Sequence, residues 1–88
     1  MKNKNKILKE LQTIPGVGKS IAQDFWNLGL RSIQDLKNKD PQHLYEKLCE
    51  LYNKHIDRCM LYVFRCAVYY ASHKKHDPKR LKWWAWKD

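Results

Sequence analysis

One short segment, residues 14–18 (IPGVG), constrains the fold of this chain more than any other. A proline fixes φ and ends a preceding helix, whereas glycines permit a tight reversal and leave their main-chain N–H groups uncovered. Apolar residues recur at helical spacing on both sides of the segment, over 7–11 and 21–28. The pattern predicts two short helices, at about 5–12 and from about Gly18 to Gly29, joined by a narrow turn.

Two capping signals predict the next two helices. Ser32 followed by Asp35 is typical of a capping box and predicts a short third helix. Asp40 followed by Pro41 places a capping side chain before a residue that favours the first helical position. A fourth helix over about 41–53 should therefore follow.

A fifth helix is expected over about 57–73, with Asp57 as its cap. Apolar side chains lie nearly all round it, which is typical of a helix that is buried or covered by a partner. Residues 82–87 (KWWAWK) then form a Trp-rich tail, and no alternating strand pattern occurs anywhere. The fold class expected is all-α. Five helices are predicted, all short except the last, which is long and apolar, and the Trp-rich C-terminal tail follows them.

Length and charge limit the function classes. Eighty-eight residues fit one domain, 1–88, and the net charge is +9. The ends carry the excess, with +4 in residues 1–20 and +4 in residues 73–88 against +1 between them. This distribution favours a polyanionic partner. Neither a membrane-spanning stretch nor an export signal is evident, so we expect a cytoplasmic protein with no membrane partner.

The glycine turn is the sharpest candidate site. A helix that starts beside it points unpaired N–H groups and a positive dipole end outward, an arrangement that binds phosphate. Lys19 adds a mobile positive charge. The residues expected to bind DNA phosphate are Gly16, Val17, Gly18, Lys19 and, more weakly, Ser20. A tight helix–helix turn with no ligand is the structural alternative.

Residues 14–18 together with Ala22 resemble the helix-hairpin-helix motif, a hydrophobic residue, Pro-Gly, a hydrophobic residue, Gly, and then a small residue. The resemblance implies that hairpin amides hold a backbone phosphate of DNA without reading its sequence. Some members also hold a monovalent cation on hairpin carbonyls; no other cofactor is expected. Residues 28–41 resemble a degenerate second copy, which implies a tandem (SAM-like) helix-hairpin-helix part over 7–53, followed by the buried helix and aromatic tail over 54–88.

Most of the chain, about residues 11–88, resembles the small bacterial "pathogenicity locus" family, some of whose members are labelled mitomycin-resistance proteins. The resemblance rests on the hairpin, on residues 30–33 (LRSI) and 44–49 (LYEKLC), and on 64–71 (FRCAVYYA) and 81–88 (LKWWAWKD). This resemblance says more about the fold than about the role; an expected part in DNA repair or damage resistance rests on the family label.

The tail leaves three interpretations open. Trp83, Trp84 and Trp86 could cover the apolar fifth helix, because an indole buries a large area. They could instead stack on unpaired bases, with Lys82 and Lys87 on the backbone. A third interpretation is a hot spot for a protein partner.

Chemistry at the cysteines is not expected. Cys49, Cys59 and Cys66 lie ten and seven residues apart, and His55 precedes Cys59 by four, a spacing looser than structural zinc sites use. We therefore expect no metal and buried thiols that behave as small apolar groups. No oxyanion site or orienting third group accompanies the His-Cys pair, so an enzyme is not expected.

These observations predict a non-sequence-specific DNA-binding module for duplex or branched DNA. The alternative is a protein-interaction or regulatory module that docks a partner, or a second copy, through the fifth helix and Trp tail.

Overall fold

The computed structural model describes residues 3–87, which form four α-helices and three short 3₁₀-helices. The α-helices are α1 (Lys4–Leu11), α2 (Lys19–Asn27), α3 (Pro41–Tyr52) and α4 (Cys59–Ser72). The 3₁₀-helices span Ile33–Leu36, Pro78–Leu81 and Trp83–Trp86. No strand occurs among residues 3–87, so the all-α prediction is confirmed for the described part of the chain.

The predicted third helix is wrong, because a single 3₁₀ turn occupies its place. Ser32 Oγ accepts a hydrogen bond from the Asp35 amide at 3.3 Å, as a cap should. The Asp35 carboxylate, however, accepts from the Arg31 amide at 2.8 Å, one residue earlier than a capping box requires. Asn38 then adopts a left-handed φ of 61°, which stops the helix after one turn. The described residues therefore hold four α-helices rather than five.

Two predicted helix boundaries are confirmed. Asp40 Oδ1 accepts from the Gln42 amide at 3.0 Å and caps α3. Gly29, just past the end of α2, has a φ of 91° and donates its N–H to the Trp26 carbonyl at 2.9 Å. Local capping chemistry therefore decides where α2 ends and where α3 begins.

The prediction of a long helix that is apolar nearly all round is wrong. α4 has 14 residues and begins at Cys59, because the Asp57 carboxylate accepts the Cys59 amide at 2.8 Å and fixes the first turn there. The buried residues of α4 are Leu61, Val63, Phe64, Cys66 and Ala67. Its tyrosines are half-buried, and the Tyr69 hydroxyl accepts a hydrogen bond from the Asp77 amide, so these side chains are amphipathic rather than apolar.

The core gathers around α4, which packs against α3, the Ile33–Leu36 turn and the tail. Phe25 of α2 meets Phe64 of α4 with ring centroids 5.3 Å apart. Glu10 of α1 accepts the Ile33 amide at 2.9 Å and ties the first helix to the 3₁₀ turn. These contacts hold α1 and α2, and the turn between them, at the edge of the core. Among residues 3–87 we find no helix with both the length and the apolar character needed to cross a bilayer.

Candidate nucleic-acid interface

The reversal between α1 and α2 is a four-residue turn that opens with Ile14 and closes with Val17. The Val17 amide donates to the Ile14 carbonyl at 3.1 Å, and both side chains are buried. Pro15 occupies the second position and Gly16, with φ of 84°, the third, the arrangement that a type II turn favours. Two buried side chains and one internal hydrogen bond thus fix the path of the backbone.

Val17 differs from its predicted role. Its amide is already committed to the turn and its side chain is only 5% exposed, so it cannot present an N–H group to a ligand. The reason is the turn itself, which requires the amide of its fourth residue to bond back to the carbonyl of its first. Val17 therefore positions the hairpin rather than offering a donor.

Unpaired donors follow directly after the turn. Among residues 3–87, none accepts a hydrogen bond from the amides of Gly18, Lys19 or Ser20, nor from that of Gly16. All four residues are exposed. Gly18 is the N-cap of α2 and has no side chain with which to satisfy the first turn. The positive end of the α2 dipole and three consecutive N–H groups therefore meet solvent at one point.

Gly16 and Gly18 have different structural roles. A Cβ on Gly16 would lie 3.3 Å from Trp83 Cδ1, and the positive φ of Gly16 also disfavours any side chain. Gly18 has φ −95° and ψ −168°, an extended conformation open to every residue type. A Cβ there would meet nothing within 4 Å. The fold therefore disfavours a side chain at position 16, whereas at position 18 it does not.

A groove of about 420 Å³ continues from the hairpin between α1 and α2. Lys9 and Lys19 line it from opposite helices, and no described acidic side chain does. The groove also presents the amide groups of Gln12 and Gln23. Sequence reasoning assigned no role to Lys9 or Gln12, although their spacing of three places them on one face of α1.

The predicted second copy offers no comparable donors. The Asn38 amide donates to Ser72 Oγ at 3.0 Å, and the Lys39 amide donates to the Leu36 carbonyl at 3.1 Å. The start of α3 is occupied by the Asp40 carboxylate, whose negative charge opposes an anion. Of the two turns, only that of residues 14–18 is followed by consecutive main-chain amides with no acceptor among residues 3–87.

The three tail tryptophans have different surroundings. Trp83 is half-buried against Gly16, and Trp86 is half-buried with its Nε1 donating to the Arg80 carbonyl at 2.8 Å. Trp84 is 52% exposed. Two of the rings therefore serve the fold, as the covering interpretation expects, and only Trp84 presents most of its surface to solvent.

The thiols of Cys59 and Cys66 are not activated. Burial raises the pKa of Cys66, which donates to the Arg80 carbonyl at 3.5 Å, and a hydrogen bond to the Asp57 carboxylate raises the pKa of the exposed Cys59. A raised pKa leaves less of the nucleophilic thiolate. Within the described residues, no three His, Cys, Asp or Glu side chains are grouped so that they could hold a metal ion.

Comparison with known proteins places the chain in a family. No solved structure matches it significantly. It is 32% identical over 75 residues to "Mitomycin resistance protein McrB" of Streptomyces lavendulae, a similarity that covers 85% of this chain and 68% of that relative. The sequence model of the family described as "Pathogenicity locus" matches residues 4–88. The chain therefore belongs to the Pathogenicity locus family.

Proposed function

We propose that this protein is a DNA-binding module that holds a backbone phosphate on the hairpin amides and does not read base sequence. The observation that carries the proposal is Gly18, a glycine that the fold does not require, followed by amides that have no acceptor among residues 3–87. A missing side chain and unpaired donors are together what close approach of an oxyanion requires.

The charge of the site supports the same function. Lys19 lies on the first turn of α2, Lys9 faces the adjoining groove, and no described carboxylate lines that groove. Main-chain amides and lysines contact phosphates, which carry no direct sequence information, so binding should depend little on base sequence. The positive ends of the chain add attraction over longer range.

The name of the relative supports the proposed biological role. Its name, a mitomycin resistance protein, supports a role for this chain in mitomycin resistance, within the wider class of DNA-damage resistance or repair. We propose binding to duplex or branched DNA in the cytoplasm without a catalytic step. The raised thiol pKa values of Cys59 and Cys66 support that last point.

The alternative, a protein-docking module, has less support. It requires α4 and the tail to be accessible together, but α4 packs against α3 and the tail. Trp84 remains the one tryptophan of the described tail that is largely exposed. A single exposed indole is a smaller surface than stable protein interfaces use.

A salt titration of duplex binding, followed by fluorescence anisotropy, tests the proposal. If four to six phosphates are neutralised, log affinity should fall against log salt with a slope of roughly −4 to −5. Lys19→Ala should make this slope shallower by about one unit. Lys54→Ala, which removes the same charge from an exposed position after α3, should change the slope less.

Gly18→Val tests the amides themselves. The added side chain fills the space in front of the α2 donors, and losing a charge-assisted hydrogen bond should weaken binding by about tenfold or more. Thermal unfolding should show that the variant remains folded, because its Cβ meets nothing within 4 Å. Undiminished binding by a folded Gly18→Val protein would exclude the hairpin as the phosphate site.

A further inference from the structure

We infer that a second site, for a nucleoside phosphate, lies in the groove between α4 and the tail. This groove has a volume of about 710 Å³, within the range of about 300–1,000 Å³ that small-molecule sites occupy. It is distinct from the hairpin, and none of residues 14–20 lines it. The inference does not depend on DNA binding at the hairpin.

Positive charge converges on this groove from three parts of the chain. Lys39 approaches from the connection before α3, Arg65 from α4, and Arg80 and Lys87 from the tail. No aspartate or glutamate among residues 3–87 lines it. Arg65 already has a partner in the protein, but the charges of Lys39, Arg80 and Lys87 share this concave surface with no described acidic side chain, so the groove is suited to an anionic ligand.

Aromatic side chains in the groove indicate which class of anion it would bind. Tyr69 and Trp86 both line the groove, with ring centroids 5.5 Å apart. The Arg80 guanidinium lies 5.9 Å from the Tyr69 ring and 6.0 Å from the Trp86 ring. A phosphate bound by Arg80 would therefore have its attached base within reach of an aromatic surface. Inorganic phosphate or an acidic peptide would use the charges and leave the rings unused, whereas a nucleotide uses both.

Hydrogen bonds with two other segments hold Trp86 in place. Arg65 Nη1 donates to the Trp86 carbonyl at 2.8 Å, while the indole N–H donates to the Arg80 carbonyl at 2.8 Å. Arg80 therefore supports the Trp86 ring through its main-chain carbonyl, which leaves its exposed guanidinium available to a ligand. Preorganisation of this kind lowers the entropy cost of binding.

Titration of the full chain with deoxyadenosine 5′-monophosphate, followed by two-dimensional NMR, tests the site. The Trp86 indole N–H signal should move, and the Gly18 amide signal should move less. Inorganic phosphate at the same concentration should move the Trp86 signal much less than the nucleotide does. Comparable movement with both ligands would overturn the inference, since it would mean that the rings play no part.

A matched pair of variants tests the charge. Arg80→Gln should weaken nucleotide binding by about tenfold, the loss of one charge-assisted hydrogen bond. Lys79→Gln removes the same charge from the neighbouring exposed residue, which does not line the groove, and should change the affinity by less than about twofold. Equal effects of the two substitutions would refute a site at the groove. Unchanged nucleotide binding in Gly18→Val separates this result from a failure of the hairpin.

A short single-stranded oligothymidylate distinguishes the two sources of such a ligand. If the groove takes one nucleotide of a strand, the oligonucleotide should bind more tightly than thymidine 5′-monophosphate and should displace it. If it takes free nucleotides, the two should bind alike. Both results support a nucleotide site, whereas no movement of the Trp86 signal with either would refute it.

Discussion

Replacement of Gly18 by serine should raise stability and lower DNA affinity together. Gly18 is the N-cap of α2, its backbone is extended, and a Cβ would meet nothing within 4 Å. Serine is a better N-cap than glycine by a few tenths of a kcal/mol, and it also restricts the unfolded chain. We expect a gain of about 0.5–1 kcal/mol in the free energy of unfolding, or roughly 3–6 °C in melting temperature.

The same hydroxyl should compete with the phosphate. A serine N-cap accepts a hydrogen bond from the amide two or three residues later, here Ser20 or Ile21, and in either case its oxygen lies in front of the amides that the proposal gives to DNA. The loss of one charge-assisted hydrogen bond costs about 1.5–3 kcal/mol of binding free energy, which raises the dissociation constant at least tenfold.

Two assays check the pair of effects. Circular dichroism gives the melting temperature, and fluorescence anisotropy with a labelled duplex at fixed salt gives the affinity. Gly18→Ala is the control, because it adds the Cβ without the capping oxygen and should bind better than Gly18→Ser. A Gly18→Ser protein that is stabilised yet binds as tightly as the parent would refute the role of the α2 amides.

Two further predictions concern stability. Gly16→Ala and Gly29→Ala both place a side chain at positive φ, which costs about 1–2 kcal/mol, but only Gly16 has Trp83 within 3.3 Å of the added atom. Urea denaturation should therefore find Gly16→Ala the less stable of the two, and equal losses would mean that the Trp83 contact is easily relieved. Burial raises the pKa of Cys66, so its thiol stays protonated to higher pH in the folded state than in the unfolded state. The free energy of unfolding should therefore decline as the pH rises above about 9.0, the ordinary pKa of the thiol. The decline in urea midpoint between pH 7 and pH 10 should be smaller in Cys66→Ala, and an identical decline would assign the effect to other groups.

Local signals in the sequence predicted the tight turn between α1 and α2 and two helix boundaries, because each depends on a few adjacent residues. Asp40 caps α3 and Gly29 follows α2 as their residue types require. Ser32 was an equally good cap, yet a cap sets where a helix starts and not how long it runs. The left-handed Asn38, held by Ser72 of α4, ends that helix after one turn.

Contacts between distant segments could not be predicted in the same way. Nothing near Gly16 in the sequence indicates that Trp83 lies against it. The charges of the groove between α4 and the tail likewise come from separate segments. Lys39 and Arg80 line the same groove only because the tail packs against α4. The internal bond of Val17, by contrast, follows from the Pro-Gly turn and was predictable from that turn type.

Trp83 lies against Gly16, so the tail contacts the reversal between α1 and α2. Because the two segments are far apart along the chain, detachment of the indole removes a brace that local residues cannot replace. Deuterium exchange at the Val17 amide, the one hydrogen bond inside the turn, should then follow release of the tail rather than fraying of α1 or α2. An aromatic side chain from the C-terminal tail therefore supports the turn that precedes the open backbone at Gly18.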